Sequence, residues 1–418
     1  MLKRISPDQV EMGMFIHKLE GSWLKHPFWR AKFLLEDSET LYDLREAEID
    51  AVVIDVGKGR DVAAPRAVTV AAAGSPAPAQ PQRRAPPIRP APIRVSTAPQ
   101  GLAREFGHAT KLAEQGRRVI SKVFLEARLG KTIRVEAVEP VIEDIFASIQ
   151  RNPHAFNGLM RCKRENEYVY RHALACSALM ISLARQLRLN PSEIRAAGLA
   201  GLLFDVGVNH LPVDLSDHGG EFRHLPLEVL APHTRLGHDF LNASGIEPQI
   251  AMVALHHHER NDGSGYPSGL IGGDIPLLSR MAAVCDAYDA LASNGADAHA
   301  ADPGAAIQAM ADMAEKFDPI VFDAFVQCIG VYPVGAMVRL RSERLAMVVD
   351  QDPADYARPT VRTFYSLVLG QAIRGEEIDL ANCFGADEVI GPADLSAFEP
   401  EEVFELRHRL LAASVKAR

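Results

Sequence analysis

The segment from residue 65 to residue 97 limits what this chain can fold into more than any other feature. It begins PRAVTVAAAGSPAP and continues rich in proline and alanine, with no apolar residue recurring at a helix or strand period. Such a composition is typical of a semi-extended, largely disordered linker. A linker of this length predicts that residues 1–64 fold apart from the rest of the 418-residue chain, which is long enough for two or three domains.

The first 64 residues predict a small α/β domain. The runs EMGMFIHKL and AVVIDVG alternate or are continuously apolar and carry branched residues, which indicates strands. The run SETLYDLREAEI, between them, predicts a short helix.

Apolar residues recur at helical spacing from about residue 98 to residue 330. Asn190, Pro191 and Glu193 form a strong start signal for one of these helices. In YVYRHALACSALMISLARQL, His172 lies on the same apolar stripe as Leu179 and Leu183. We therefore predict a mainly α protein whose central part is a helical bundle.

The pattern changes after residue 330. The runs GAMVRLRSERLAMVVDQ and RPTVRTFYSLVL alternate as strands do, and EPEEVFELRHRLLAASV predicts a last helix with acids at its start and basic residues near its end. Residues 331–418 are therefore predicted to form a small strand-rich extension with a terminal helix.

The charge balance and the cysteines exclude several classes of protein. The chain has 45 basic and 54 acidic residues, a net charge of −9, which argues against DNA binding. Five cysteines without CxxC spacing indicate reduced thiols, and we expect a cytoplasmic protein. The N-terminal residues lack a continuous apolar stretch, so we expect no signal peptide, and no run of about 18 apolar residues occurs, so we expect no membrane span.

Asp205 raises the question of function, because it interrupts the hydrophobic run LLFDVGVNHLP. A buried carboxylate is costly unless it is paired or binds a metal. Five further histidines and aspartates lie on apolar faces or at the ends of apolar runs in the same helical block. The complete set of candidate ligands is His172, Asp205, His233, His257, His258 and Asp286.

Each of these residues alone has a simpler explanation, since a single inward histidine is usually a hydrogen-bonded core residue. Six together require a common source of positive charge, and divalent metal ions supply it. Imidazole and carboxylate suit iron, manganese or similar ions, and Asp205 is placed to bridge two of them. We leave neighbouring histidines such as His238 and His256 out of the ligand set.

A glycine-rich loop, ERNDGSGYPSGLIGGDIP, follows the histidines directly. It is either a surface loop with tight turns or a loop whose glycines allow the backbone to approach a ligand or partner. Its position next to His257 and His258 favours the second interpretation. The residues that we assign to substrate or partner contact are Asp262, Gly263, Gly265, Tyr266 and Pro267.

The runs HHERNDGSGYPSGLIGGDIP and AVCDAYDAL closely resemble the HD-GYP family of metal-dependent phosphohydrolases. The resemblance covers about residues 150–330, and the parts before and after resemble segments that accompany HD-GYP domains. It implies a helical bundle with two or three metal ions and hydrolysis of the bacterial messenger cyclic di-GMP. By position it implies the same six metal ligands, with Asp205 at the catalytic centre, and it links the Gly-Tyr-Pro loop to diguanylate cyclase partners.

This chain departs from the family pattern at positions that matter for catalysis. The family motif is His-Asp-x-Gly-Lys. In this chain Phe204 stands in place of its histidine and Val208 in place of its lysine. The run NGADAHA stands where the family has cations, and Tyr168 stands where some members have a glutamate ligand. Arg260 and Arg280 are the candidates for replacing the lost cations.

Two functions remain open at this point. The chain is either a regulatory protein that binds metal and cyclic di-GMP with weak or absent hydrolysis, or an active cyclic di-GMP phosphodiesterase. We favour the regulatory function, because each lost contact to a developing phosphoryl charge is worth about 3 kcal/mol. The number of metal ions, one or two, and the oligomeric state are not predicted.

Overall fold

A computed structural model describes residues 2–20, 33–35, 41, 51–60, 98–162, 168–213, 222, 225–292, 302–352, 355–383 and 385–416. The predicted linker over 65–97 lies outside these residues. So does the predicted helix over 38–49, except for Leu41, which is helical. The chain divides into two compact units, Met1–Val95 and Ser96–Arg418.

The first unit contains a four-stranded antiparallel sheet. Its strands are β1 (Leu2–Ile5), β2 (Phe15–Glu20), β3 (Phe33–Leu34) and β4 (Ala51–Asp55). They lie in the order β1-β4-β2-β3, so that β4 pairs with both β1 and β2. A small apolar core that includes Val10, Met14 and Ile54 is fully buried and explains the alternating pattern of the strands.

The second unit begins with eleven α-helices in its described residues. They are α1 (Leu102–Arg128), α2 (Val135–Arg151), α3 (Ala155–Cys162), α4 (Tyr168–Gln186), α5 (Pro191–Leu203), α6 (Leu227–Leu230), α7 (Pro232–Ala243), α8 (Pro248–His256), α9 (Leu277–Ala292), α10 (Pro303–Ala311) and α11 (Pro319–Ile329). None of the described helices is both long and apolar enough to cross a membrane. The prediction of a mainly helical central part is confirmed.

Helix α5 begins where the sequence predicts. The Asn190 side chain accepts hydrogen bonds from the Ser192 and Glu193 backbone N–H groups, each at 3.0 Å. Glu193 in turn accepts the Asn190 N–H at 2.8 Å, which completes a capping box.

Helix α5 packs closely against α4 because two glycines face that helix. A Cβ atom on Gly198 would lie 2.8 Å from the Ile181 side chain, and one on Gly201 would lie 2.7 Å from the Cys176 carbonyl oxygen. This close approach matters for the site, since Asp205 follows the end of α5 and His172 lies on α4.

The end of the chain forms a six-stranded sheet and a helix. The strands are β5 (Met337–Leu340), β6 (Arg344–Asp350), β7 (Thr360–Ser366), β8 (Gln371–Ala372), β9 (Glu377–Asp379) and β10 (Val389–Pro392). Their order is β10-β5-β6-β7-β8, and β9 also pairs with β7. Helix α12 (Pro400–Lys416) follows. This confirms a strand-rich segment with a terminal helix, while the domain boundary at residue 330 stays a prediction.

Candidate metal centre

The structure brings the six predicted ligand side chains into one cluster. His172 comes from α4, His233 from α7 and Asp286 from α9. Asp205 lies just before a 3₁₀ helix, Val206–His210, and His257 and His258 follow the end of α8. The cluster is buried, and the side chains of His258 and Asp286 keep the largest exposed fractions, 15% and 12%.

Asp205 lies at the middle of this cluster. Its Oδ2 atom is 3.1 Å from His172 Nε2. Its Oδ1 atom is 3.4 Å from both His233 Nε2 and His257 Nε2. One carboxylate therefore faces three imidazole nitrogens, two on one oxygen and one on the other.

Asp286 lies between His172 and His258 and faces both. Its Oδ1 atom lies 3.3 Å from His172 Nε2, and its Oδ2 atom lies 3.5 Å from His258 Nδ1. His172 therefore faces both aspartates through the same nitrogen.

The outer nitrogens of two histidines are held by backbone carbonyls, which fixes where their protons lie. His233 Nδ1 donates to the Leu230 carbonyl at 2.7 Å, and His257 Nδ1 donates to the Ala254 carbonyl at 3.0 Å. Both Nε2 atoms, only 3.2 Å apart, then present lone pairs to each other and to Asp205 Oδ1. Three electron-rich atoms that converge in this way require a cation between them.

The hydrogen-bonding pattern and the spacing of the donors also fit a divalent ion. The buried atoms Asp205 Oδ1, Asp205 Oδ2 and His258 Nε2 have no hydrogen-bond partner. Asp205, His233, His257 and His258 offer ligand atoms that all lie within 4.8 Å of one another. Ligand atoms about 2.0–2.2 Å from one ion lie about 3 Å apart, close to the observed separations. Nitrogen and oxygen donors of this kind suit iron, manganese or zinc.

The protonation equilibria of the cluster reflect the same crowding. Burial raises the pKa of Asp205, but the imidazoles of His172, His233 and His257 that face its oxygens outweigh burial and hold that pKa well below its usual value. Burial, followed by the nearness of the His257 and His233 imidazoles, holds the pKa of His258 well below 6.5. Asp205 is therefore a carboxylate and His258 a neutral imidazole at pH 7, as metal ligands must be.

Phe204 lies inside the cluster rather than outside it. Its side chain is 1% exposed, and its ring stacks on the His257 ring at a centroid distance of 4.6 Å. It also meets the His172 ring edge-on at 5.8 Å. An apolar ring therefore occupies the space between two candidate ligands. Val208, one turn further, is likewise buried and carries no charge.

The two arginines considered as replacement cations make contacts of their own. Arg280 forms an ion pair with Asp318, with Nη1 and Oδ2 2.5 Å apart. Arg260 donates to the Ala283 carbonyl at 3.5 Å and lies over the Phe317 ring. Arg171, fully buried beside His172 in the chain, lies over the Tyr168 ring. The run NGADAHA lies outside the described residues.

Tyr168, which stands where some family members have a glutamate, packs on His172. The two rings stack at 5.1 Å, and the Tyr168 hydroxyl lies 3.1 Å from His172 Nδ1. Cys176 approaches the same ring from the next turn of α4, with Sγ 3.6 Å from both nitrogens. Burial raises the pKa of the Cys176 thiol to about 12, so that the thiol is neutral.

The Gly-Tyr-Pro loop contacts the cluster through Tyr266, whose ring stacks on the His258 ring at 4.7 Å. Asp262 accepts the Ser264 N–H at 2.9 Å, and Gly263 adopts a φ of +80°, which favours glycine. A Cβ atom on Gly265 would lie 2.3 Å from the Arg260 nitrogen. Pro267 follows Tyr266 through a cis peptide bond.

Sequence reasoning missed two buried acids that hold this arrangement. Asp289 Oδ2 lies 2.8 Å from His172 Nδ1, on the side of the ring opposite the cluster. Glu259 accepts the Ser268 and Leu270 N–H groups at 2.7 and 3.0 Å, and so fastens the loop. The sequence signal that could have identified these two acids is their position inside the motifs AVCDAYDAL and HHERNDG.

Comparison with known families agrees with the fold. An HD domain matches residues 150–321, and a domain of unknown function, DUF3391, matches residues 2–138. The chain belongs to the HD-GYP branch of the HD-domain family.

Curated relatives share different parts of the chain. A cyclic di-GMP phosphodiesterase of Pseudomonas aeruginosa is 39% identical over 410 residues, which is 98% of this chain and 94% of the relative. The cyclic di-GMP phosphodiesterase response regulator RpfG of Xanthomonas campestris is 37% identical over 148 residues, 35% of this chain and 39% of that protein. A 3'3'-cGAMP-specific phosphodiesterase of Vibrio cholerae is 32% identical over 127 residues, 30% of each chain.

Proposed function

We propose that this chain is a cyclic di-GMP signalling protein of the bacterial cytoplasm that binds the messenger at a metal centre and hydrolyses it weakly or not at all. The observation that carries this proposal is the position of Phe204, stacked on His257 at 4.6 Å within an otherwise complete ligand cluster. In this proposal residues 98–330 carry the site, residues 331–418 are an extension, and residues 65–97 link the site to the N-terminal domain.

One or two divalent ions would be held by the six cluster residues. Asp205, His233, His257 and His258 would hold one ion, and His172, Asp205 and Asp286 offer three donors for a second. Such ions supply a polarised phosphate and an activated water in phosphodiester hydrolysis. The second set is the weaker one, since Phe204 contributes no ligand atom where the family has an imidazole.

The expected loss of hydrolysis follows from the loss of positive charges that would contact a bound phosphate. Val208 has no positive charge to place on a phosphate, and Arg260 and Arg280 contact Phe317 and Asp318 instead. Removing one preorganised donor from a developing charge slows turnover by about 10²–10³-fold. Losing a metal ligand and a cation together is expected to slow it by about 10⁴-fold or more.

An active cyclic di-GMP phosphodiesterase is the second candidate. It is favoured by the relative from Pseudomonas aeruginosa, which carries that name and is 39% identical over 94% of its length. All six ligand side chains are also present in the cluster.

The Gly-Tyr-Pro loop is the proposed contact for the nucleotide or for a diguanylate cyclase-type partner. Tyr266 supports the first role, since its ring lies on His258 at the more exposed side of the cluster. Asp262, Gly263 and Gly265 shape the loop, and Pro267 completes it.

The test compares cyclic di-GMP hydrolysis by the native chain and by Phe204→His with Val208→Lys, each loaded with Mn²⁺. The matched control is Phe204→Leu with Val208→Met, which changes the same positions without adding a ligand or a charge. No native turnover, with turnover gained only in the His/Lys variant, supports the regulatory function. Native turnover at the rate of the His/Lys variant supports the active enzyme instead.

A further inference from the structure

We infer that Asp289 is a positioning residue, which holds the proton of His172 on Nδ1 and thereby presents the Nε2 lone pair to a metal ion. This inference rests on the proposed metal centre and adds to it a residue outside the ligand set. Asp289 lies on α9, three residues after Asp286, so that both side chains face α4.

The contact between Asp289 and His172 is short and shielded from water. Asp289 Oδ2 lies 2.8 Å from His172 Nδ1. The two residues are 3% and 1% exposed. A buried carboxylate accepts hydrogen bonds and cannot donate one, so the Nδ1 atom must carry the hydrogen.

The opposite edge of the ring has only acceptors in front of it. His172 Nε2 faces Asp205 Oδ2 at 3.1 Å and Asp286 Oδ1 at 3.3 Å. With its hydrogen on Nδ1, a neutral imidazole has a lone pair at Nε2. The Asp289 contact therefore selects the tautomer that coordinates an ion, as carboxylate–histidine–metal triads do.

The other neighbours of the ring cannot replace this contact. The Tyr168 hydroxyl is 3.1 Å from the same nitrogen, but it is neutral and can donate as well as accept. Cys176 Sγ is equally far, 3.6 Å, from both ring nitrogens, so it packs on the ring without favouring either tautomer.

His172, Cys176 and Asp289 also have the composition of a separate ion site. The 2.8 Å separation of His172 Nδ1 and Asp289 Oδ2 is that of a charge-assisted hydrogen bond and leaves no room for an ion between them. The geometry therefore assigns Asp289 to orientation rather than to coordination.

The test measures Mn²⁺ binding to the metal-stripped full chain by calorimetry. Asp289→Asn keeps the shape but lets the amide donate to Nδ1, which favours the wrong tautomer. We expect it to weaken Mn²⁺ binding by about 10–100-fold, the usual effect of losing an outer carboxylate partner. The matched control, Asp312→Asn on the exposed end of α10, is expected to bind within about twofold of the native chain.

A second readout does not depend on Asp289→Asn folding. The ¹⁵N NMR signals of His172, assigned by their loss in His172→Gln, report the tautomer in the native chain loaded with Zn²⁺. A proton on Nδ1 supports the inference. An unprotonated Nδ1, or unchanged Mn²⁺ affinity in a folded Asp289→Asn protein, overturns it while leaving the metal centre intact. A native chain that binds no Mn²⁺ overturns the metal centre and this inference together.

Discussion

Asp205 is the residue on which the candidate site depends, because its two oxygens face three imidazoles that come from distant parts of the chain. A carboxylate with 4% exposure is costly to bury, and neither of its oxygens has a hydrogen-bond partner. A divalent ion would remove this cost, because each unsatisfied atom would become a ligand. The surrounding α-helices then hold the ligands where the ion needs them.

The titration of His154, which lies outside the cluster, can be tested separately. Burial, followed by the positive charge of Arg161, lowers the pKa of His154 from 6.5 to about 4. Between pH 6.5 and about 4, His154 is therefore protonated in the unfolded state but stays largely neutral in the folded state. The contribution of His154 to the unfolding free energy is fully present above pH 6.5 and is lost as the pH drops from 6.5 toward 4.

We predict that His154→Gln makes the chain less sensitive to acid. The native chain should lose about 2 kcal/mol more unfolding free energy than the variant between pH 7.5 and pH 5. Urea unfolding at both pH values measures this difference. The exposed His408→Gln is the control, and an acid sensitivity of His154→Gln equal to that of this control contradicts the prediction.

Residue types and spacing predicted the six candidate ligands, because each lies on or next to an apolar run where a polar group stands out. They did not predict Asp289, whose partner His172 is 117 positions away. A carboxylate beside a histidine in space looks, in the sequence, like any other polar residue on a helix. Outer partners of this kind are set by packing, which a single sequence does not encode.

At the scale of elements, the site is held by the contact between the 3₁₀ helix Val206–His210 and α7. A Cβ atom on Gly207 would lie 2.0 Å from the His233 carbonyl oxygen and 2.5 Å from the Gly237 nitrogen. Only a glycine allows the two backbones to come this close. The contact brings Asp205 within reach of His233, so backbone packing and the ligand geometry depend on each other.

Gly207→Ala is therefore expected to separate the two elements. We predict a loss of about 1–3 kcal/mol of unfolding free energy from overpacking, together with weaker Mn²⁺ binding. Thermal unfolding and calorimetry of the same protein measure both effects. Gly107→Ala on α1, where a Cβ atom meets nothing within 4 Å, should bind Mn²⁺ normally and gain stability. Equal metal affinity in the two variants would argue against this coupling.

The helices themselves were predictable from apolar periodicity and start signals, as the capping box at Asn190 illustrates. The 3₁₀ helix after Asp205 was not, since Asn209, His210 and Pro212 indicated only a turn. Its geometry depends on the close contact of Gly207 with α7, and the sequence does not state which helix that glycine meets.

At the scale of the second unit, a partly buried ion pair joins the last helix to the rest. Arg407 on α12 donates to Asp302 Oδ2 at 3.1 Å and to the Gly335 carbonyl at 2.9 Å. Asp302 also accepts the N–H groups of Gly304, at the start of α10, and of Met337, at the start of β5. A single carboxylate thus connects helix α10, the C-terminal sheet and α12.

Removing this arginine should destabilise the whole unit rather than the last helix alone. Arg407→Leu leaves the partly buried Asp302 carboxylate without its cation, which costs about 1.5–3 kcal/mol. The exposed Arg409→Leu, two residues away, is expected to change stability by less than about 0.5 kcal/mol. Urea unfolding followed by circular dichroism measures the difference, and equal midpoints for the two variants would contradict the prediction.

Sequence patterns predicted which segments of the chain are helical and which are strand-rich, because composition changes near residues 65, 98 and 330. They did not predict the strand order β10-β5-β6-β7-β8 or the role of Asp302. Alternation shows that a segment is a strand but not which strand it pairs with. The match to DUF3391 over residues 2–138 also extends past the predicted linker into α1 and α2.

The most direct test of the metal centre is the metal content of the purified native chain, measured by inductively coupled plasma mass spectrometry beside Asp205→Asn. Both proteins are expressed with added iron and manganese and purified without chelators. We expect at least one iron or manganese ion per native chain and a large loss of bound metal in Asp205→Asn. A native chain that is folded, free of ions and not stabilised by added Mn²⁺ would contradict this expectation.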